Sequence, residues 1–202
     1  MLRNRGCCSA GFAFGACGRS VCVFYGCTTD GIIWALSNAH TTFRDMKLVS
    51  IAGQGPTVPS FAVKGVERLT FCNVEVDIPQ DWTEYGVSLA ADIDGLPTLK
   101  RVEIVDSTFW GPGTELVGTT GFYISYGGGD QGAQVAFMVR NSRIADWGYG
   151  VFYVDRTETY PHLPEVTLDI DDCASTFFNN RLFNVCERPP QGGLCAEKCP
   201  TN

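Results

Sequence analysis

Three stretches of this chain set a tryptophan beside a carboxylate: Asp81-Trp82-Thr83-Glu84, Trp110 with Glu115, and Asp146-Trp147-Gly148-Tyr149. A flat indole packs against the C–H face of a sugar ring, and carboxylates accept hydrogen bonds from its hydroxyls. Trp82, Glu84, Trp110, Glu115, Asp146, Trp147 and Tyr149 are therefore candidate carbohydrate-binding residues. Two carboxylates at a suitable separation can also hydrolyse a glycosidic bond. The same tryptophans would serve equally well as large apolar surfaces closing the edge of a core. No catalytic residue and no metal ligand is assigned.

The elements that would carry these loops follow from a repeated phrase. In Leu99–Phe109, Val102 and Ile104 alternate with Arg101 and Glu103, and Asp106-Ser107 then turns the chain. Such period-two alternation running into an acid and a small hydroxyl residue reads as a half-buried strand ending in a turn. Copies occur at Leu69–Val76, Phe137–Ile144 and Leu168–Cys173, with a fainter one at Thr41–Leu48. Their turn positions are Asp45, Asn73, Asp106, Asn141 and Asp172, spaced 28, 33, 35 and 31 residues apart. After each turn and a variable loop comes a second strand class, usually led by glycine: Tyr85–Leu89, Thr120–Ile124 and Tyr149–Val154, with Asn180–Val185 last. Glycine at that entry is expected to supply the backbone freedom of a tight corner.

A period near 30 with two or three short strands per repeat is the signature of a stacked array in which no repeat buries its own face. Leucine-rich repeats need a leucine consensus and a shorter period, and propeller blades are longer. Helical repeats fail because apolar spacing never holds at three to four residues for three turns. The expected fold is all-β: a right-handed single-stranded parallel β-helix solenoid of about five to six coils with Cys-rich ends. It divides into a Cys/Gly-rich N-terminal segment or cap (1–20, an atypical beginning of the solenoid), the β-helix (21–186) and a Pro/Gly/Cys-rich C-terminal cap or tail (187–202).

The pattern of apolar-x-apolar-x-Asn/Asp-Ser, a variable loop and then Gly-apolar-x-apolar resembles the right-handed parallel β-helix (pectate-lyase-like) superfamily, which includes pectate lyases, polygalacturonases and tailspikes. The resemblance covers roughly residues 20–186 and concerns the fold alone. It implies that Asp45, Asn73, Asp106, Asn141 and Asp172 form a structural ladder. The Gly-His-Gly and Arg-x-Lys signatures of polygalacturonases do not occur, and no arginine stands in a lyase motif. No catalytic residue is carried over.

A net charge of −7 and ten cysteines narrow the function classes. Nucleic-acid backbones need a basic face, so nucleic acid is not an expected partner. Eight of the cysteines cluster toward the ends (Cys7, Cys8, Cys17, Cys22, Cys27, then Cys186, Cys195, Cys199), which favours disulfides in an oxidising compartment. Their spacing lacks the paired CxxC of a zinc site, and only His40 and His162 could join them. No cofactor is expected. Ca²⁺ is the one cation that oxygen-rich loops at Asp92, Asp94, Asp130 and Asp155 would suit, although aspartate in Gly-rich turns is ordinary turn chemistry. No apolar run is long enough for a transmembrane segment.

These readings converge on a non-enzymatic extracellular or cell-surface module, structural or surface-interacting, whose partners are other protein subunits or surface polysaccharide. The alternative is a polysaccharide-binding or polysaccharide-cleaving protein using the Trp/acid loops.

Overall fold

Alternation of apolar and polar residues produces strands, and the strands stack parallel from one repeat to the next. The computed structural model describes residues 13–15, 22–25, 28–29, 33–49, 61–78, 84–113, 118–129 and 132–199. The strands are β1 (Ala13–Gly15), β2 (Cys22–Tyr25), β3 (Thr28–Thr29), β4 (Ile33–Val49), β5 (Phe61–Asp77), β6 (Tyr85–Ala90), β7 (Arg101–Val105), β8 (Thr108–Trp110), β9 (Thr120–Ser125), β10 (Gln134–Arg140), β11 (Arg143–Ala145), β12 (Tyr149–Val154), β13 (Glu165–Ile170), β14 (Phe177–Phe178), β15 (Phe183–Arg188) and β16 (Ala196–Glu197). A single helical turn, α1 (Cys173–Thr176), precedes β14.

The strands form three parallel ladders. The first runs through β1, the start of β4 and of β5, β6, β9, β12 and β15. The second runs through β2, the middle of β4 and β5, β7, β10 and β13. The third runs through β3, the ends of β4 and β5, β8, β11 and β14. This is a β-solenoid of about three turns. Three successive coils are closed by three separate strands each, β6–β8, β9–β11 and β12–β14, whereas β4 and β5 are single 17-residue strands that serve all three ladders. The five to six coils expected from the repeat count are not supported. The third ladder was also hidden in the sequence, because strands of two or three residues are too short to show alternation.

The corner between the second and third ladders explains the Asx-Ser phrase. Asp45, Asn73, Asp106 and Asn141 all adopt φ between 44° and 53°, the left-handed region that Asn and Asp tolerate best among non-glycine residues. Each asparagine also donates to the aspartate one coil before it: Asn73 Nδ2 to Asp45 Oδ1 and Asn141 Nδ2 to Asp106 Oδ1, both at 2.7 Å. The following serines turn inward. Ser107 Oγ accepts from Val74 N, and Ser142 Oγ accepts from Ser107 N, each at 3.0 Å. Asp172 departs from this ladder. It is extended (φ −153°) and caps α1 by accepting from Ala174 N.

Inward side chains fill the solenoid. Phe43, Phe61, Phe71, Phe109, Phe122 and Phe137 are all fully buried. Neighbours among them pack at centroid distances of 4.7–5.4 Å, mostly edge to face. That geometry suits the aromatic quadrupole. Val87, Val151 and Val185 continue the column where aromatics are absent.

Glycine at the entry of the first-ladder strands has a different role from the one the sequence suggested. Gly86, Gly121 and Gly150 do not adopt positive φ; they provide space. A methyl group on Gly121 would lie 2.6 Å from Gly150 O, and one on Gly150 would lie 2.5 Å from Asn184 O.

Beyond β15 the chain turns back, and β16 pairs antiparallel with β15 through Cys186↔Glu197 and Glu187↔Ala196. Disulfides Cys186–Cys195 and Cys173–Cys199 tie this return to the last coil. Cys199 is buried against the core. Chain-entropy arguments assign bridges of this loop length roughly 3 kcal/mol each. Reduction is therefore expected to lower unfolding stability by several kcal/mol and expose 189–194 to protease. An unchanged cleavage pattern after reduction would show that the return holds without its bridges.

Candidate functional site

The corner between the third and first ladders gathers most of the candidate residues, and gives them unequal roles. Trp147 is fully buried. Its Nε1 donates to Phe109 O (3.1 Å), and its own backbone N–H donates to the buried Asn180 Oδ1 (3.1 Å). The indole lies in a slot left by small residues. A methyl group on Gly86 would be 2.8 Å from the ring, and one on Gly111 would be 2.7 Å from it. Trp147 is therefore a core element that joins three coils, with no face presented to solvent.

Asp146 also belongs to a ladder. It takes φ 62°, as Asn179 takes 53° one coil later, and Asn179 Nδ2 donates to Asp146 Oδ1 at 2.6 Å. This second Asx pair repeats, at another corner, the device already seen at Asp106 and Asn141. Glu84 accepts from the Tyr85 hydroxyl at 2.8 Å. Trp82 and Glu115 lie outside the described residues, as does Asp130.

Trp110 remains at the surface. In register it stands beside Ala145 of β11, which stands beside Phe178 of β14. The small Ala145 leaves a gap between the two rings, and Arg143 fills it. Its guanidinium carbon is 5.9 Å from the centroid of Trp110 and 5.9 Å from that of Phe178. A cation over two ring faces is held by their quadrupoles. Phe178 is 58% exposed, the most exposed aromatic side chain among the described residues. Arg143 forms no ion pair among those residues, whereas Lys47, Lys100, Arg101, Arg140 and Lys198 all do.

A second aromatic strip lies across the corner on the first ladder. Tyr85 stacks on Tyr123 (4.7 Å), Tyr123 meets Phe152 (5.8 Å), Phe152 meets Tyr149 edge-on (5.4 Å), and Tyr149 stacks on Phe183 (6.1 Å). All five are half-buried. Burial, the hydrogen bond to Glu84 and the charge of that carboxylate push the Tyr85 phenol well above its usual range. Tyr123 is raised by burial and then by the same carboxylate.

Of the residues singled out from sequence, Trp110, Asp146, Trp147 and Tyr149 lie at the corner between the third and first ladders. Arg143, Phe178, Tyr123, Phe152 and Phe183 were missed. A signal for the first two existed: Thr108-Phe109-Trp110, Arg143-Ile144-Ala145 and Phe177-Phe178 occupy the same place after the turn.

At the other loops, the described aspartates serve loop structure. Asp92 is buried, and its carboxylate accepts from Gly132 N (2.8 Å) and Thr98 Oγ1 (3.3 Å), which binds one loop to the next. Among the described residues, no three His, Cys, Asp or Glu side chains come together as a metal-holding group. No helix among them is long and apolar enough to cross a membrane.

The fold and this corner define a β-solenoid protein with aromatic strips on its flanks. No protein-family model, curated protein or solved structure matches the chain.

The two tryptophans should respond unequally to truncation. Trp147→Ala empties a core slot and is expected to destabilise by about 3–5 kcal/mol in denaturant unfolding. Trp110→Ala, which truncates a half-buried ring under Arg143, should cost less, about 1 kcal/mol. The tyrosines predict an alkaline limb. Phenols raised by the fold contribute stability that is whole below the ordinary tyrosine range and lost as pH rises through their folded pKa. In tyrosinate absorbance, Tyr85, Tyr123 and Tyr153 should accordingly ionise only as the fold melts. A single ordinary titration of all tyrosines would contradict this.

Proposed function

We propose that this chain is a non-enzymatic, extracellular β-solenoid of the right-handed parallel β-helix type, acting as a surface-interaction module and as a subunit of a larger assembly. The observation that carries the reading is the strip Trp110–Arg143–Phe178. An exposed Phe178 and a half-buried Trp110 hold a guanidinium that forms no ion pair among the described residues, on the flank of the solenoid. Tryptophan and arginine are the side chains that most often concentrate binding energy at protein interfaces. Here the scaffold fixes them in advance, because Trp110 is held in register with the coil after it and Arg143 with the coil before it. A preorganised surface of this kind loses little conformational entropy on binding.

Two disulfides at the C-terminal end are compatible with an oxidising, extracellular setting. The reading of 187–202 as a cap is supported by β16, whose Ala196 and Glu197 pair with the last first-ladder strand. An unprotected solenoid end would invite edge-to-edge association.

A second reading, carbohydrate binding, is favoured by the Tyr85–Tyr123–Phe152–Tyr149–Phe183 strip with Glu84 beside it. Stacked rings flanked by a carboxylate suit the two faces of a sugar. In this reading Trp110 and Tyr149 contact the ligand, and Trp147 holds the corner beneath them.

Trp110→Ala/Phe178→Ala, compared with the parent by native mass spectrometry and on a glycan array, tests both. Concentration-dependent assembly that weakens about ten-fold or more in the double variant supports the interaction module. Glycan retention that survives the double variant but falls with Tyr123→Ala supports the second reading. A strict monomer that retains no glycan removes both.

A further inference from the structure

The second ladder ends at β13, and β13 differs from every strand before it. In β7 and β10 the inward residues Val102, Ile104, Val135, Phe137 and Val139 are buried. Their successors Val166, Leu168 and Ile170 are only partly buried, and the residues between them are exposed. Of the other two ladders at this end, the first is continued by β16 on β15, and the third ends in the two-residue β14, which pairs with β11 alone among the described residues. Among the described residues, β13 pairs with β10 alone.

The free edge has a defined polarity. Glu165 N donates to Ala133 O and Asp171 N to Val139 O. In a parallel strand the N–H and C=O of alternate residues point to the same side. Glu165, Thr167, Asp169 and Asp171 thus bond back to β10, and the N–H and C=O groups of Val166, Leu168 and Ile170 point outward along the edge.

Charge completes the pattern. Three outward acids are met by a base from a neighbouring rung, Glu75 by Lys47, Glu67 by Lys100 and, on β13 itself, Asp169 by Arg140; Glu103 is met by Arg101 of its own strand. Glu165 faces the neutral Gln134 and forms no ion pair among the described residues. On its other side the described residues place no rung from which a base could reach it.

We propose that the free edge of β13 is a strand-addition site for an extended segment of a partner protein, one in which apolar residues alternate with Lys or Arg. Its backbone completes the hydrogen bonds of Val166, Leu168 and Ile170. Its apolar residues cover those three side chains, and a basic residue pairs with Glu165. Main-chain bonds supply affinity in such complexes, and the alternate side chains supply selectivity. This site is separate from the Trp110 strip and stands whether or not that strip binds anything.

The test uses the intact oxidised chain with two synthetic probes, an alternating Val-Lys peptide and an alternating Val-Glu peptide. Fluorescence anisotropy measures affinity, and hydrogen exchange locates the contact. In the free protein, the amides of Val166, Leu168 and Ile170 should exchange faster than those of Thr167, Asp169 and Asp171. The Val-Lys peptide should bind and slow the first set, and the Val-Glu peptide should not. Glu165→Lys, an exposed change that leaves the fold intact, should weaken the Val-Lys peptide about five-fold and admit the Val-Glu peptide. No binding overturns the proposal, as does binding that leaves those amides unprotected or ignores Glu165→Lys. Protection of the same amides by self-association without peptide would assign the edge to a second copy of the chain and overturn it equally.

Discussion

The rest of this structure depends on a chain that turns sharply at the same place in successive coils while keeping its register with the coil before. The residues that make this turn are Asp45, Asn73, Asp106 and Asn141. A left-handed backbone position costs most residues on the order of 1 kcal/mol, and asparagine and aspartate less because their short polar side chains bond locally. Here the bond is to the neighbouring coil, asparagine to aspartate, so the corner residue also locks the stack. Once the corners are aligned, all positions between them align as well. Inward valines and phenylalanines then fall into continuous columns, and Ser107 and Ser142 satisfy the backbone groups that the turn would leave buried and unpaired.

The same demand for register explains the one large side chain that crosses coils. Trp147 reaches toward the backbone at Gly86 and Gly111, and its N–H is satisfied by Phe109 O. A buried indole contributes a large apolar area but needs both room and a hydrogen-bond acceptor. Glycines on the two earlier coils supply the room, and a carbonyl one coil away supplies the acceptor. Tryptophan and glycines together form one packing unit whose ends, Gly86 and Trp147, are 61 positions apart in sequence.

With the core so arranged, the surface inherits the same periodicity. Outward positions also stack, which is why Trp110, Ala145 and Phe178 form a row and why tyrosines and phenylalanines form another. A solenoid repeats whatever its outward positions carry, so a few aromatic substitutions become an extended strip. The end of the stack is where repetition stops, and β13 shows the consequence: inward residues only partly covered and an edge with one neighbour.

Much of this architecture is legible in the chain. The Asx-small phrase, its spacing and the alternation before it specify parallel stacked strands, because no single repeat has enough apolar surface to fold alone. The ladder role of Asp45, Asn73, Asp106 and Asn141 follows from the same repetition. What the chain alone left open was direction and depth. Asp146-Trp147 looks like the same kind of loop as Trp110 with Glu115, yet Trp147 points inward and Trp110 outward. That choice is made by Gly86 and Gly111, residues distant in sequence that become neighbours only when coils stack. Asp172 shares the Asx phrase but caps α1, since the chain after it has no further coil in its ladder to bond to. Local pattern thus determined the strands and their order. Tertiary packing decided which aromatic side chains fill the core and which remain at the surface, because burial depends on contacts between residues a whole coil or more apart.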